Sequence, residues 1–429
     1  MAFLTLEDPN AKIKGSRDPL GIQPVWAAFG RHVVTNLTTQ STSVRGFTIL
    51  LLGRYFAARL IEDGTVSQEE ALNVFLRMEQ IGAYIRYVAH KLEGNIRGIE
   101  RVMTFLEEGR GKVNIQSDRR GMILSDQKTY GLWGLYSVPA RTSGMIPEGS
   151  FGVTEKAREF IERNYMPSLE SVTNPLLRLL SRGGTLDTRT KEPVFVALTK
   201  ILSETFTPEE IEFYGHYLRD GLEVKTTSRE RQARFRDLLE ANIDLDAQVG
   251  REEVLQLSET AQGVDVALAE YLKRITHLEA LLAPAAVIFD YILTQSGQRP
   301  KDVAAKLVKH WGGGVPNLDP SKFREILPEI RETSTSEISA AVARSHEALT
   351  TGNYEEAVFA VMDWNTKVMA VRNAAPWARL AEDGRIDVRY RGIERLLPDA
   401  DDLPMLWHNS YFIDSLKSVT RQLRNESSR

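Results

Sequence analysis

The stretch VLQLSETAQGVDVALAEYLKRITHLEALL, residues 254–282, decides the reading of the fold. Val254, Ala261, Leu268, Ile275 and Leu282 recur every seven residues, and Leu257, Val264, Tyr271 and Leu278 interleave with them. Such an a/d seam requires a long helix burying a continuous stripe, and the spacing predicts one helix over 251–283. Leu272 and Leu281 flank the seam and widen it, which suits a multi-helix bundle better than an isolated two-stranded coil. The seam residues are candidates either for internal core or for a surface that receives a partner helix. Pro284 predicts a kink or a new helix, with the apolar register resuming at Phe289 and Ile292.

Upstream, Ser43 reads as the cap of a helix over 43–63 that Gly64 ends. Ser67 followed by Glu70 is a capping-box pattern. It opens a helix over 67–92 whose Val74, Met78, Ile81, Ile85, Val88 and Leu92 align on one face. The two helices are expected to form an antiparallel hairpin. Between 125 and 165 the order is helix, Pro/Gly turn, short extended segment, then a helix starting at Glu155 with Thr154 as its cap. That is the order of winged-helix domains. Shorter helices are predicted over 173–180, 193–204, 208–220 and 229–242.

Downstream, Gly312–Gly314 with Val315 and Pro316 reads as a hinge or boundary. EALTTGNYEEAVFAVMDW (347–364) resembles one helix–turn–helix unit of the tetratricopeptide type, with Gly352 and Asn353 in the turn, though one unit is not an array. Helices are expected over 335–349, 354–372 and 410–423. Ile386, Val388 and Tyr390 alternate as a strand does. The fold class is therefore mainly α: a multi-helix bundle with a winged-helix subdomain and a few short strands. Four segments follow: 1–110, an N-terminal helical domain that begins with an irregular leader; 111–170, the winged-helix module; 171–311, the bundle with the long heptad helix; and 312–429, a C-terminal helical region.

Composition excludes several function classes. The 429 residues are 42% apolar and 26% charged with a net charge of −4, so a nucleic-acid contact must rest on a local patch. Arginine outnumbers lysine 38 to 16, a bias that favours bidentate anion contacts but also follows from a G·C-rich genome. The absence of cysteine removes disulfides, thiolate metal sites and thiol catalysis. No signal-peptide order of basic then apolar residues is visible. The most apolar stretch, 47–61, carries Arg54 and Arg59 and is too short to span a bilayer. A cytoplasmic location without membrane contact is expected.

No phosphate-binding loop, dinucleotide fingerprint, nucleophile elbow or HExxH occurs, so no catalytic residue, metal ligand or cofactor is assigned. The seven histidines stand far apart, and Arg86 and His90 are too close for the Arg-x4–6-His pattern of HEPN ribonucleases. Glu223-Val224-Lys225 matches the E-x-K half of a nuclease metal site, but Asp220 is too near to occupy a separate strand. The candidate phosphate contacts are Arg119 and Arg120, Arg141, and the cluster Arg229, Arg231, Arg234 and Arg236, where Glu230 and Asp237 dilute the charge.

RDPLGIQPVWAAFGRHVVTNLTTQSTSVRGFTILLLGRYFAARL (17–60) and APWARLAEDGRIDVRYRG (375–392) with LPMLWHNSYFIDSLKSV (403–419) resemble helical bacterial proteins of defence-island gene neighbourhoods. The resemblance covers roughly a fifth of the chain and carries no active-site residue with it. It implies a role beside other protein subunits in an anti-phage or anti-plasmid system. The leading expectation is a non-catalytic subunit acting through protein–protein and DNA contacts. The alternatives are a stand-alone nucleic-acid-binding or regulatory protein and a metal-dependent nuclease of unfamiliar type.

Overall fold

The computed structural model describes residues 18–91, 96–189, 192–224, 230–390 and 396–424. They are mainly helical and divide into two compact units, 34–245 with 412–424, and 18–33 with 246–411. Each unit gathers segments far apart in sequence, so the units do not coincide with the four contiguous segments read from composition.

In the first unit, α1 (Val44–Glu62) and α2 (Ala71–His90) form the expected hairpin. The Ser43 hydroxyl accepts from the Gly46 N–H, as its cap position requires. The Ser67–Glu70 box closes on both sides, at 2.9 and 3.3 Å, in the turn that leads into α2. The hairpin is then covered by α3 (Leu132–Thr142), α4 (Glu155–Asn164) and α5 (Pro208–Tyr214), with α6 (Arg231–Asn242) farther along the chain. A helix at Ile413–Gln422 returns to this unit, where the Gln422 side chain accepts from the Val44 N–H at 3.0 Å.

The winged-helix order is not met as expected. The strand of this region, β1 (Lys112–Ile115), pairs antiparallel with β2 (Gly184–Asp187), well outside 111–170. Residues 151–154 form no strand. Thr154 does sit before α4, but its hydroxyl donates to the Gly144 and Met145 carbonyls at 3.0 and 3.2 Å and leaves the helix uncapped by any side chain. The hydroxyl satisfies the end of α3's turn rather than the start of α4.

In the second unit, the single heptad helix is replaced by two, α7 (Arg251–Ala261) and α8 (Val266–Ile292), packed as a hairpin. Asp265 makes the break: its carboxylate accepts from the Leu268 N–H at 3.0 Å and starts α8. The seven-residue spacing survives the turn because both helices of the hairpin bury a stripe. Val264, in the turn, is 61% exposed, and Tyr271 is only half-buried. Val254, Leu257, Ala261, Leu268, Ile275, Leu278 and Leu282 are buried. They are internal core, not a seam held open for a partner helix. Replacing Asp265 by Ala is expected to lower the urea midpoint of this unit by the equivalent of about 1 kcal/mol, the usual worth of an N-cap.

The helix does not stop at Pro284. It runs on to Ile292 with the proline inside it, and Pro284 itself is buried. By length and composition α8 could cross a membrane, yet 72% of its most apolar window is buried. Gly312–Gly314 is likewise no boundary. A Cβ on Gly314 would sit 2.2 Å from the Thr350 carbonyl oxygen, and the Val315 N–H donates to the Leu349 carbonyl. The triglycine is thus a turn laid against the end of α10 (Ser336–Thr351), which follows α9 (Pro320–Thr333). α10 and α11 (Tyr354–Val371) make the expected antiparallel pair around Gly352 and Asn353. The predicted strand is β4 (Ile386–Val388), paired antiparallel with β3 (Ala378–Leu380).

Candidate anion-binding site

Most buried charge in the 34–245 unit is paired. Arg45, fully buried on α1, forks onto both carboxylate oxygens of Glu210 on α5 and also donates to the Ser203 and Thr205 carbonyls. Burial alone would lower the Arg45 pKa, but the Glu210 carboxylate outweighs it and the net direction is upward. Arg86 meets Glu204 at 3.3 Å.

Among the buried cations of this unit Arg54 is the exception. It lies on α1 one helical turn before Ala58, is 3% exposed, and meets no carboxylate among the described residues. Its Nε and Nη2 donate to the Gly152 and Ser150 carbonyls at 2.8 and 2.7 Å. Its guanidinium carbon stands 5.0 Å from the Trp133 ring centre and 5.2 Å from that of Phe151. Those rings stack on each other, 4.9 Å apart and 21° from parallel. Both separations lie within the range of cation–π attraction. Burial, and then the like charge of Arg141, push the Arg54 pKa down to about 10, so it remains charged at neutral pH.

Arg141 lies in the last turn of α3, exposed and without an ion pair among the described residues. Trp133, Ser137 and Arg141 follow at four-residue steps, which places them along one flank of that helix. Ser137 is 8% exposed and its hydroxyl has no hydrogen-bond partner. Trp133, Ser137 and Arg141 thus share one flank of α3, and Arg54 of α1 stands against its Trp133 end. A recessed, unpaired cation is costly unless an anion completes it. Chemically the arrangement suits an anion and lacks any nucleophile–base pair.

The other sequence-derived arginines are placed differently. Arg119 and Arg120 are exposed on the turn at 117–121, which the Asp118 carboxylate closes by accepting from the Arg120 N–H at 2.9 Å. Arg229 and Lys225 lie outside the described residues. Arg231 is half-buried at the start of α6. Arg234 pairs with Glu230 at 2.8 Å. Arg236 is surrounded by Asp220, Asp237 and Glu240 at 3.1, 2.8 and 3.1 Å. These carboxylates cancel most of the field the cluster would offer a phosphate.

The carboxylates of the nuclease-like fragment are occupied too. Glu223 lies 2.9 Å from His216 Nε2 and 3.3 Å from Lys156 Nζ, and these contacts, His216 first, hold its pKa below the usual range. Asp220 is tied to Arg219 and Arg236. Among the described residues no group of three histidines or acids is placed to hold a metal ion. A cavity of about 220 Å³ beside α1 is lined by Arg59 and Arg158 together with Glu62, Asp63 and Glu162, so it presents no net positive charge.

Of the sequence-derived residues only Arg141 belongs to the candidate site. Arg54, Ser137, Trp133 and Phe151 were missed. The one available signal was Arg54 itself, a charge in the middle of the most apolar stretch of the chain. Comparison with known protein families, curated proteins and solved structures finds no match.

Proposed function

We propose that the chain is a non-catalytic subunit that works by contact, and that one contact is with nucleic acid through Arg54 and Arg141. The observation that carries this reading is Arg54: a guanidinium 3% exposed, without a carboxylate, beside a second arginine of the same sign. A phosphodiester relieves that repulsion, accepts from both guanidinium groups and needs no catalytic machinery. The setting, a bacterial assembly directed against phage or plasmid DNA with other protein subunits beside this one, comes from the family resemblance alone. The metal-dependent nuclease reading gains no support, since Asp220 and Glu223 are both engaged by cations.

A labelled oligonucleotide titrated with the full chain tests the reading. Two phosphate contacts predict that affinity falls about tenfold between about 50 and about 200 mM salt. Arg141→Ala should lower the slope of log affinity against log salt by about one contact's worth, roughly 0.7–0.9. No binding to duplex or single strand at about 50 mM salt would remove the nucleic-acid contact from the proposal.

A further inference from the structure

We infer that residues 116–131 form a pH-gated flap on α2, latched by the buried Glu79 carboxyl while it is protonated and released when it ionises. The inference is independent of the nucleic-acid reading above.

The flap is seated by hydrogen bonds more than by apolar burial. Half of residues 116–131 are exposed, and Ile123 is the one apolar side chain among them that is buried. The seat is made by three buried polar side chains, Glu79, Gln80 and Gln127. Gln80 accepts from the Gln116 N–H at 3.1 Å and donates to the Gln116 carbonyl at 2.8 Å. Gln127 donates to the Leu76 carbonyl and to Glu79, both at 2.9 Å. Its side-chain oxygen accepts from the Gln80 amide at 3.2 Å and the Ile123 N–H at 3.3 Å. Arg77 and Arg101 add single bonds at the rim, to the Ser117 hydroxyl and the Met122 carbonyl. One edge is under-packed: a cavity of about 420 Å³ lies between Ile123, Leu124 and Ser125 of the flap and Gly98, Ile99 and Arg101. A segment with so little buried apolar surface opens by itself at a lower free energy than the unit that carries it.

Glu79 is the one ionisable member of this seat, and no cation meets it among the described residues. The charged groups on the elements packed around α2 are engaged elsewhere or face solvent. On α2 itself Arg77 donates to the Leu180 and Ser181 carbonyls and Arg86 meets Glu204. On α1 Arg45 pairs with Glu210, and Arg54 donates to the Gly152 and Ser150 carbonyls. Asp118, Arg119, Arg120, Asp126 and Lys128 of the flap are exposed, as are Arg141 on α3 and Glu100, Arg101, Glu107 and Glu108 on the helix Ile99–Glu108. Arg178, Arg182 and Lys200, on the helices at Thr173–Arg182 and Pro193–Ile201, are exposed too. Tyr84 and Tyr136 are buried, and burial keeps both phenols neutral. Arg97 acts on Glu79 from a distance, with its guanidinium bonded to Gln40. An ionised Glu79 is therefore a buried anion held by two amide donors, an expense the neutral acid escapes. Burial lifts its pKa to about 7 against those bonds and Arg97.

Once the flap lifts, the carboxyl meets water and its pKa returns to the ordinary 4.5. Below that value both states are protonated and the flap is at its firmest. Between about 4.5 and about 7 opening releases a proton, so the open population rises up to about tenfold per pH unit, and above about 7 it levels off. Opening bares α2 along Leu76, Glu79 and Gln80. It also strips the start of α3 of its borrowed cap, because the Leu132 N–H loses the Glu79 oxygen and Gly131 has no side chain to replace it.

Hydrogen exchange of the full chain, read by mass spectrometry at pH about 5 and about 8, decides the matter. With each rate divided by that of an unstructured peptide of the same sequence, the amides of 116–131 should open about 70 times more often at the higher pH. At pH about 8 they should also exchange faster than the amides of α1. Addition of about 1 M urea should leave the flap's rate unchanged while that of α1 climbs, because a local opening exposes little surface. Glu79→Gln cannot ionise and should hold the pH ratio of the flap within about twofold of one. A Glu79→Gln protein that keeps the rise overturns the inference. If that variant does not fold, the parent decides alone, since a ratio near one in the parent overturns the inference equally. Exchange of 116–131 that matches α1 in rate and in urea response overturns it as well, for the segment would then open only with the whole unit.

Discussion

Glu210→Ala is expected to destabilise the 34–245 unit by about 3–5 kcal/mol, read from urea unfolding at neutral pH. Glu210 serves two masters. It is the third residue of α5, where its carboxylate accepts from the Thr207 N–H at 2.9 Å while the Thr207 hydroxyl accepts from the Glu210 N–H, a complete capping box. It also receives both arms of Arg45 and the Tyr165 hydroxyl at 2.8 Å. Truncation leaves a guanidinium with no exposure and no counter-charge, held only by two carbonyls and the Phe206 ring 3.9 Å below it.

The paired substitution Arg45→Met with Glu210→Leu should recover most of that loss. Replacing a buried ion pair by apolar volume is close to neutral, whereas breaking it is not. The double variant still forfeits the capping box, so a residue of about 1 kcal/mol should remain. Glu210→Gln, which keeps an acceptor for Thr207 but not the charge, should fall between. A Glu210→Ala variant within about 1 kcal/mol of the parent would show that water reaches Arg45 and that the pair is not the clamp described.

The contrast between Arg45 and Arg54 explains what sequence could and could not disclose. Both stand on one apolar helix, nine residues apart, and both are buried. Nothing local distinguishes them. The difference is made by residues far along the chain, Glu210 for one and the pair Trp133 and Phe151 for the other. Local signals, by contrast, were legible: Ser43 as a cap, the Ser67–Glu70 box, the Gly352–Asn353 turn and the strand at Ile386–Val388. The heptad error shows how periodicity misleads. A spacing of seven fits a hairpin as well as a rod when the turn is short, and the deciding marks were Gly263 and Asp265, a turn residue and a cap. The basic cluster on α6 misled differently. Arg236 reads as a free charge until Asp220, sixteen residues earlier, folds back onto it.

Glu79 should make the stability of the same unit fall as the pH rises from about 4.5 to about 7, by about 3 kcal/mol. The carboxyl is fully buried on α2 with no cation in contact. It accepts from the Leu132 N–H at 2.6 Å and from the Gln127 side-chain amide at 2.9 Å. Leu132 is the first residue of α3, so a side chain from another helix caps a start that Gly131 itself cannot cap. Burial raises the Glu79 pKa to about 7 against these hydrogen bonds and the more distant Arg97, all of which pull it down. As the pH rises the unfolded chain loses this proton first, and between the two pKa values the folded chain binds one proton more. Stability therefore declines at about 1.4 kcal/mol per pH unit across that window and levels off above it. Glu79→Gln keeps an oxygen for the Leu132 N–H and removes the titration. The variant-minus-parent difference in unfolding free energy, measured at pH about 5 and about 8, should thus grow by about 3 kcal/mol in favour of the variant. Other groups cancel in that difference, including Glu279, whose pKa burial also raises. Gly131→Ala attacks the same joint sterically: a Cβ there would lie 2.5 Å from the Glu79 carboxylate and 2.3 Å from the Gln127 carbonyl oxygen. Parallel stability curves for Glu79→Gln and the parent would mean that the carboxyl is solvated and that α3 is held by something else.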